Sequence, residues 1–88
     1  IAAAATRELF AQFLAPAPRA LPADFETLTD RERDIFALAA RGLSNAEIAA
    51  REYLSEATVK THISRILSKL QLRDRVQLVV FAFEHGLA

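Results

Sequence analysis

The 88-residue sequence predicts an all-α fold, and three observations support that class. Only two glycines and three prolines interrupt the chain. The β-branched residues do not alternate with polar ones, as they would in half-buried strands. Apolar residues instead recur three and four positions apart, between short segments that carry helix-capping residues. With 52% hydrophobic residues, a chain of this length has the composition of one small globular domain.

The N-terminal part is expected to form a helix and a tether outside the main domain. Residues 1–14 are rich in alanine and place leucine and phenylalanine at helical spacing. Three prolines then predict an extended linker over residues 15–24. We therefore divide the chain into a linker helix with a Pro-rich tether, residues 1–25, and a main domain, residues 26–88. Because the chain starts with Ile1 and has no signal-peptide pattern, we expect a fragment of a longer intracellular protein.

Two capping boxes mark the starts of the first two helices of the main domain. Thr29 with Glu32, and Ser44 with Glu47, have the spacing in which a hydroxyl accepts from the third helical amide. The carboxylate of the same motif accepts from the amide of the capping residue. Gly42, between the two boxes, suits a left-handed cap at the end of the first helix.

The third and fourth helices are predicted to begin at the caps Ser55 and Asp74. The third helix, about residues 56–70, has its apolar residues on a single face, namely Val59, Ile63, Ile66, Leu67 and Leu70. The fourth helix is apolar nearly all round and is predicted to end at Gly86. One of its faces can cover the other helices, but a domain this small cannot bury the rest of it.

Two capped helices joined by about three residues, the second with a long polar face, are typical of a helix-turn-helix. A three-helix bundle with a merely solvated polar face would show the same pattern. The net charge is zero, yet residues 20–56 carry −4, from four arginines and eight carboxylates. Residues 57–75 carry +4, from five basic residues and one aspartate. This separation of charge is compatible with a nucleic-acid partner for the third helix.

Three strings of the main domain are distinctive: Leu28-Thr29-Asp30-Arg31-Glu32, Gly42-Leu43-Ser44-Asn45-Ala46-Glu47-Ile48-Ala49 and Thr58-Val59-Lys60-Thr61-His62. They closely resemble the LuxR/GerE-type DNA-binding domain. The resemblance continues in register without a gap over residues 26–87, through Leu67-Ser68-Lys69-Leu70, Arg75-Val76 and Gly86-Leu87. It implies a four-helix, helix-turn-helix transcription regulator whose third helix lies in the major groove of DNA. The N-terminal helix and tether resemble the segment that follows a receiver domain in NarL/FixJ-type response regulators.

The resemblance also implies roles for individual residues. In the family, the residues that match Lys60, Thr61 and Ser64 read bases. Lys60 suits the O6/N7 edge of guanine, and Thr61 can touch a thymine methyl group or donate to a base. Ser64 replaces a longer basic residue found in other members, which shortens its reach. Phosphate contacts, which set the register on DNA, are expected from Ser44, Asn45, Thr58, Arg65 and Lys69.

The matching fourth helix dimerises in the family, which predicts a two-fold homodimer on an inverted-repeat site. The expected dimer residues are Val76, Val80, Phe81 and Phe83. Alternatively, the helix within residues 1–14 covers this face inside one chain. An upstream receiver domain and RNA polymerase are the other expected partners, and the expected location is the cytoplasm.

Besides Ser64, a second residue departs from the family pattern. Glu52 stands where leucine is usual, and an unpaired buried carboxylate would be costly. We expect Glu52 to turn outward while Tyr53 or Leu54 fills the gap; the alternative is that the helix ends early.

Other classes of function fit the sequence less well. The carboxylates fall on capping positions and turns, and no Gly-rich phosphate loop is present, so we expect no enzyme. With no cysteine, and with His62 and His85 far apart, we expect no metal and no cofactor. The longest apolar run, residues 78–83, is too short for a membrane span. Two alternatives remain, a helical protein-interaction domain and the promoter-recognising region of a sigma factor.

Overall fold

A computed structural model describes residues 21–87, which form one 3-10 turn and four α-helices and contain no strand. The elements are a 3-10 turn over Ala23–Thr27, α1 over Asp30–Ala40, α2 over Asn45–Glu52, α3 over Glu56–Lys69 and α4 over Arg75–Glu84. The predicted all-α, four-helix class is therefore confirmed. The linker helix predicted within residues 1–14 lies outside the described residues.

Each helix begins at its predicted cap. The Thr29 hydroxyl accepts a hydrogen bond from the amide of Glu32 at 3.1 Å, and the Thr29 amide donates to Glu32 Oε1 at 2.9 Å. Ser44 and Glu47 repeat both contacts, at 3.1 and 2.9 Å. The serine and aspartate caps of α3 and α4 each accept from the amide three positions on. Because a capping contact spans only three residues, the local sequence is sufficient to place it.

All four helices also end in one way, with a left-handed residue followed by a leucine. The left-handed residues, with φ between 57° and 92°, are Gly42, Tyr53, Gln71 and Gly86. The amide of each following leucine donates to the carbonyl five residues earlier, at 2.7 to 3.2 Å. These leucines pack against the core and are Leu43, Leu54, Leu72 and Leu87. The repeated motif fixes the direction in which the chain leaves every helix, since each exit is anchored by a hydrogen bond and an apolar contact.

Helix α1 is the central element and packs against the other three helices. The five largest fully buried side chains come from all four helices: Ile35 from α1, Ile48 from α2, Val59 and Ile66 from α3, and Leu78 from α4. Because α1 and α2 support α3 from one side, the opposite side of α3 remains on the surface.

The segment ahead of α1 contributes to the same core. The extended tether predicted through residue 24 gives way to the 3-10 turn because the Phe25 side chain is buried. The Phe25 ring lies 5.5 Å from that of Phe36 and 6.4 Å from that of Phe81, between ring centroids. The Arg33 guanidinium lies 5.2 Å from the centre of the Phe25 ring. Burial of these aromatic rings outweighs the preference of the Pro-rich segment for an extended path.

Candidate nucleic-acid interface

Helix α3 has a buried face and an exposed face. Val59, Ile63 and Ile66 are buried, as their spacing predicts. A shallow depression on the exposed face is lined by six accessible residues, Ala57, Lys60, Thr61, Ser64, Arg65 and Ser68. The three residues predicted to read bases therefore lie together on one accessible surface, which we call the α3 face.

Lys60 and Arg65 give the α3 face its positive charge. Within residues 21–87 neither side chain forms an ion pair, so both cations are available to an anionic partner. The other four residues of the face are small, so a partner molecule can approach the backbone of α3 closely. The major groove of B-DNA, about 12 Å wide, admits an α-helix of about 10–12 Å diameter.

The threonine hydroxyls of α3 differ in what they can offer to a ligand. The Thr61 hydroxyl donates to the carbonyl oxygen of Ala57 at 3.1 Å, one turn back on its own helix. The Thr58 hydroxyl instead accepts from the Ser55 hydroxyl at 2.8 Å, so its own hydrogen is free to point outward. Thr58 is exposed and can donate to a phosphate oxygen. The Thr58 hydroxyl is thus both accessible and able to donate, as its predicted phosphate contact requires.

The start of α2 carries two of the residues predicted to contact phosphate. The Ser44 amide donates to the Glu47 carboxylate at 2.9 Å. This hydrogen bond, together with one from the Ser44 side chain, holds the pKa of the Glu47 carboxyl below its ordinary value. The N-terminus of α2 therefore already holds an anion, the Glu47 carboxylate. The Asn45 Oδ1 atom accepts from Arg75 at 2.8 Å, which joins the start of α2 to the start of α4.

Lys69 pairs with a buried carboxylate, so its predicted phosphate contact would compete with an ion pair inside the protein. Its Nζ atom lies 2.6 Å from Glu32 Oε1 and 3.1 Å from the carbonyl oxygen of Thr27. Burial by itself raises the pKa of the Glu32 carboxyl. Hydrogen bonds from Lys69 and Thr29, together with the Lys69 charge, outweigh that effect and lower the pKa overall. The Lys69 ammonium thus satisfies a buried carboxylate, while 34% of the Lys69 side chain stays exposed.

Glu52 is paired rather than turned into solvent. Arg31 donates to Glu52 Oε1 at 3.0 Å and to the Glu52 carbonyl oxygen at 2.7 Å, so one guanidinium serves both the carboxylate and the end of α2. Leu54 packs against the core, so of the two residues expected to fill the gap beside Glu52, it is Leu54 that does so. Tyr53, by contrast, is 94% exposed and fills no gap. The outward orientation expected for Glu52 is wrong because Arg31 lies within reach on α1.

The surface of α4 carries an exposed apolar patch, made of Val76, Val79, Val80 and Phe83, which we call the α4 patch. Val76 is 71% exposed and Phe83 is 52% exposed, so three of the four predicted dimer residues are accessible. Phe81, the fourth, is buried, with its ring centre 6.0 Å from that of Phe36. The assignment of Phe81 to a dimer surface is therefore wrong, because this ring completes the core beneath the patch.

Sequence reasoning assigned no site role to three residues of this region. Ala57 and Ser68 line the α3 face, and each lies four positions from a predicted base-reading residue. Because residues four apart share one face of a helix, this spacing is the sequence signal that could have identified Ala57 and Ser68. Arg75 was assigned no role, and its bond to Asn45 joins positions 30 residues apart, which no local pattern indicates.

Two further properties concern residues 21–87 only. Their histidines, aspartates and glutamates form no group of three or more that could hold a metal ion. None of the described helices is long and apolar enough to cross a membrane.

The sequence is similar to those of known regulatory proteins. The family of bacterial regulatory proteins named luxR matches residues 26–82. Similar proteins include the response regulator protein VraR of Staphylococcus aureus, Staphylococcus saprophyticus and Staphylococcus epidermidis. Each is 52% identical over 63 residues, which cover 72% of this chain and 30% of the relative. The chain thus spans less than a third of the length of these relatives. The match extends from the residues beside Phe25 into α4, and the chain belongs to the luxR family of bacterial regulatory proteins.

Proposed function

We propose that the chain is the sequence-specific, double-stranded DNA-binding domain of a bacterial transcription regulator, with α3 in the major groove. The α3 face is the observation that carries this proposal. Its two cations, Lys60 and Arg65, project from the side of α3 opposite the core, and small residues allow close approach between them. Membership of the luxR family supports the same function.

Base reading and positioning are divided between side chains in this proposal. Lys60 donates to the O6/N7 edge of a guanine, and Thr61 and Ser64 meet the adjacent base edges. The phosphate contacts come from Arg65 and from the polar groups of Ser44, Asn45 and Thr58. Phosphate contacts set the register of the helix, and base contacts supply the sequence preference.

A second copy of the chain is the proposed occupant of the α4 patch. Val76, Val80 and Phe83 follow one another at spacings of four and three and remain exposed after the domain has folded. A two-fold contact through this patch would place two α3 helices on the halves of an inverted repeat.

The proposed setting is a two-component response regulator in the cytoplasm. The similar proteins are named response regulators and extend well beyond the matched region. In this setting a receiver domain precedes the described residues and controls access to DNA, and RNA polymerase is the further partner of the whole regulator.

Selection from a random duplex library at near-physiological salt tests the proposal. We expect enrichment of an inverted repeat whose half-sites lie about one helical turn, or a multiple of one, apart. Binding without enrichment would leave only electrostatic contacts with the DNA backbone and would contradict the proposed readout. Absence of binding would favour a helical protein-interaction domain. Activity that depends on core polymerase would favour the sigma-factor interpretation.

Two variants separate the parts of the proposal. Lys60→Ala should weaken binding to the enriched site, whereas Arg41→Ala removes the same charge outside the α3 face and serves as the matched control. Val80→Glu should lower the sedimentation coefficient of the protein–DNA complex by preventing two copies from binding together. A chain that sediments as a monomer on the full inverted repeat without any substitution would contradict the dimer.

A further inference from the structure

We infer that Thr61 and Ala57 together recognise the C5-methyl group of a pyrimidine, so that the base read at this position is thymine. The inference rests on the proposed function and deepens it, since it names the chemical group that one part of the α3 face selects. It also assigns no donor role to the Thr61 hydroxyl.

The hydrogen bond within α3 decides between the two roles that the Thr61 side chain can play. A hydroxyl has one hydrogen, and that of Thr61 is donated to the Ala57 carbonyl oxygen at 3.1 Å. This back-bond is a stable arrangement for threonine in a helix, because the carbonyl lies within reach one turn earlier. The hydroxyl is therefore turned along its own helix, and the methyl group is the part of this exposed side chain that can meet a base.

Ala57 supplies a second methyl group beside the first. Residues four apart on a helix are surface neighbours, with Cβ atoms about 5–6 Å apart. Ala57 and Thr61 line the same depression, and Lys60 and Arg65 belong to its polar part. An apolar spot within a charged surface suits the one apolar group that base pairs present in the major groove, the C5-methyl group of thymine. Cytosine has a hydrogen at that position, whereas 5-methylcytosine carries the same methyl group.

Deoxyuridine provides the test, because it differs from thymidine only in lacking the C5-methyl group. Each thymine of the enriched site is replaced in turn by deoxyuridine, and affinity is measured by fluorescence anisotropy at one fixed salt concentration. We expect one position in each half-site to bind about fourfold more weakly, the effect of one buried methyl group. At that position a 5-methylcytosine–guanine pair should bind more tightly than a cytosine–guanine pair.

Two substitutions at Thr61 separate the methyl group from the hydroxyl. Thr61→Ser keeps the hydroxyl and should reduce the difference between thymine and uracil, because only the Ala57 methyl group remains. Thr61→Val keeps the methyl groups and should preserve that difference. Ser64→Ala is the matched control on the same face and should leave the difference unchanged. Thr61 and Ser64 are both exposed, and circular dichroism verifies that each of the three variants folds.

The outcomes distinguish this inference from the proposed function. Specific binding with equal affinity for thymine and uracil at every position would overturn the inference and leave the proposed function intact. Loss of binding in Thr61→Val, with deoxyuridine still tolerated, would show that the Thr61 oxygen accepts a hydrogen bond from a base, which also overturns it. A library that yields no preferred sequence would overturn the proposed function and the inference together.

Discussion

Lys69→Met is expected to destabilise the fold while leaving the electrostatic part of DNA binding unchanged. Methionine retains most of the length of lysine but removes the ammonium group from Glu32 and Thr27. The carboxylate of Glu32 then lies buried without its cation, a situation that proteins tolerate poorly. The substitution separates the observed role of Lys69 from the phosphate contact predicted for it.

The size of the effect follows from the geometry of the pair. The Lys69 Nζ and Glu32 Oε1 atoms are 2.6 Å apart, and the Glu32 side chain is 4% exposed. Removing one partner of a fully buried pair costs about 3–5 kcal/mol. The Lys69 side chain is 34% exposed, so water screens part of the interaction. Glu32 also keeps its bond from the Thr29 amide, and we therefore expect a loss of about 2 kcal/mol.

The effect should depend on pH in a defined direction. The pKa of Glu32 in the folded protein lies below its ordinary value of 4.5, so the pair stabilises the fold above that pH. The stabilisation is lost as the pH falls below 4.5 and the carboxyl takes up a proton. Wild type and Lys69→Met should therefore differ most at neutral pH and converge in acid.

Urea denaturation at pH 7 and at pH 4, together with the salt dependence of DNA binding, measures these effects. Arg65→Met is the matched control, because it removes an exposed cation from the same helix. It should reduce the salt slope, which is the slope of log affinity against log salt concentration, by about one. A Glu32→Gln, Lys69→Met double variant should lose less stability than the sum of the single changes. Unchanged stability of Lys69→Met at neutral pH, with a salt slope reduced by about one, would refute the reasoning.

Three further predictions concern the core, the helix ends and the readout. Phe81→Ala should cost about 3–5 kcal/mol in thermal or urea unfolding, and Phe83→Ala much less; equal losses would contradict the burial of Phe81. Gly42→Ala should cost about 1 kcal/mol because alanine is strained at a φ of 92°, whereas Gln71→Ala, where the left-handed residue already has a Cβ atom, should change little. Lys60→Ala should weaken binding to the preferred site by about 1–3 kcal/mol and relax the sequence preference at one base pair. An equal loss on all sequences would instead indicate a phosphate contact.

The sequence was sufficient wherever a contact lies within a few residues. The two capping boxes and the inward face of α3 depend on spacings of three and four, and the structure confirms them. The left-handed ends at Tyr53 and Gln71 were not predictable, because neither residue type favours that conformation. There the packing of the leucine that follows outweighs the local preference of the backbone.

Contacts between distant residues account for what the sequence did not reveal at the candidate site. Lys69 and Glu32 are 37 positions apart, so the basic residue looked like another surface cation of α3. In α4, apolar residues occur on every side, and helical periodicity could not distinguish buried Phe81 from exposed Phe83. Only the position of α4 against Phe25 and Phe36 decides which ring faces inward.

The stacking of Phe25 on Phe81 has a consequence for the way the domain is tethered. Phe25 is the fifth of the described residues, and Phe81 lies in the last helix, so the polypeptide enters the domain beside α4. Covalent attachment at this point holds whatever precedes residue 21 beside α4, and attachment of this kind raises the effective concentration of a neighbour, into the millimolar range for short flexible linkers. With the proposed second copy bound at the α4 patch, such a neighbour would compete for the patch even with a weak affinity of its own, and the length of the connection would set the strength of that competition.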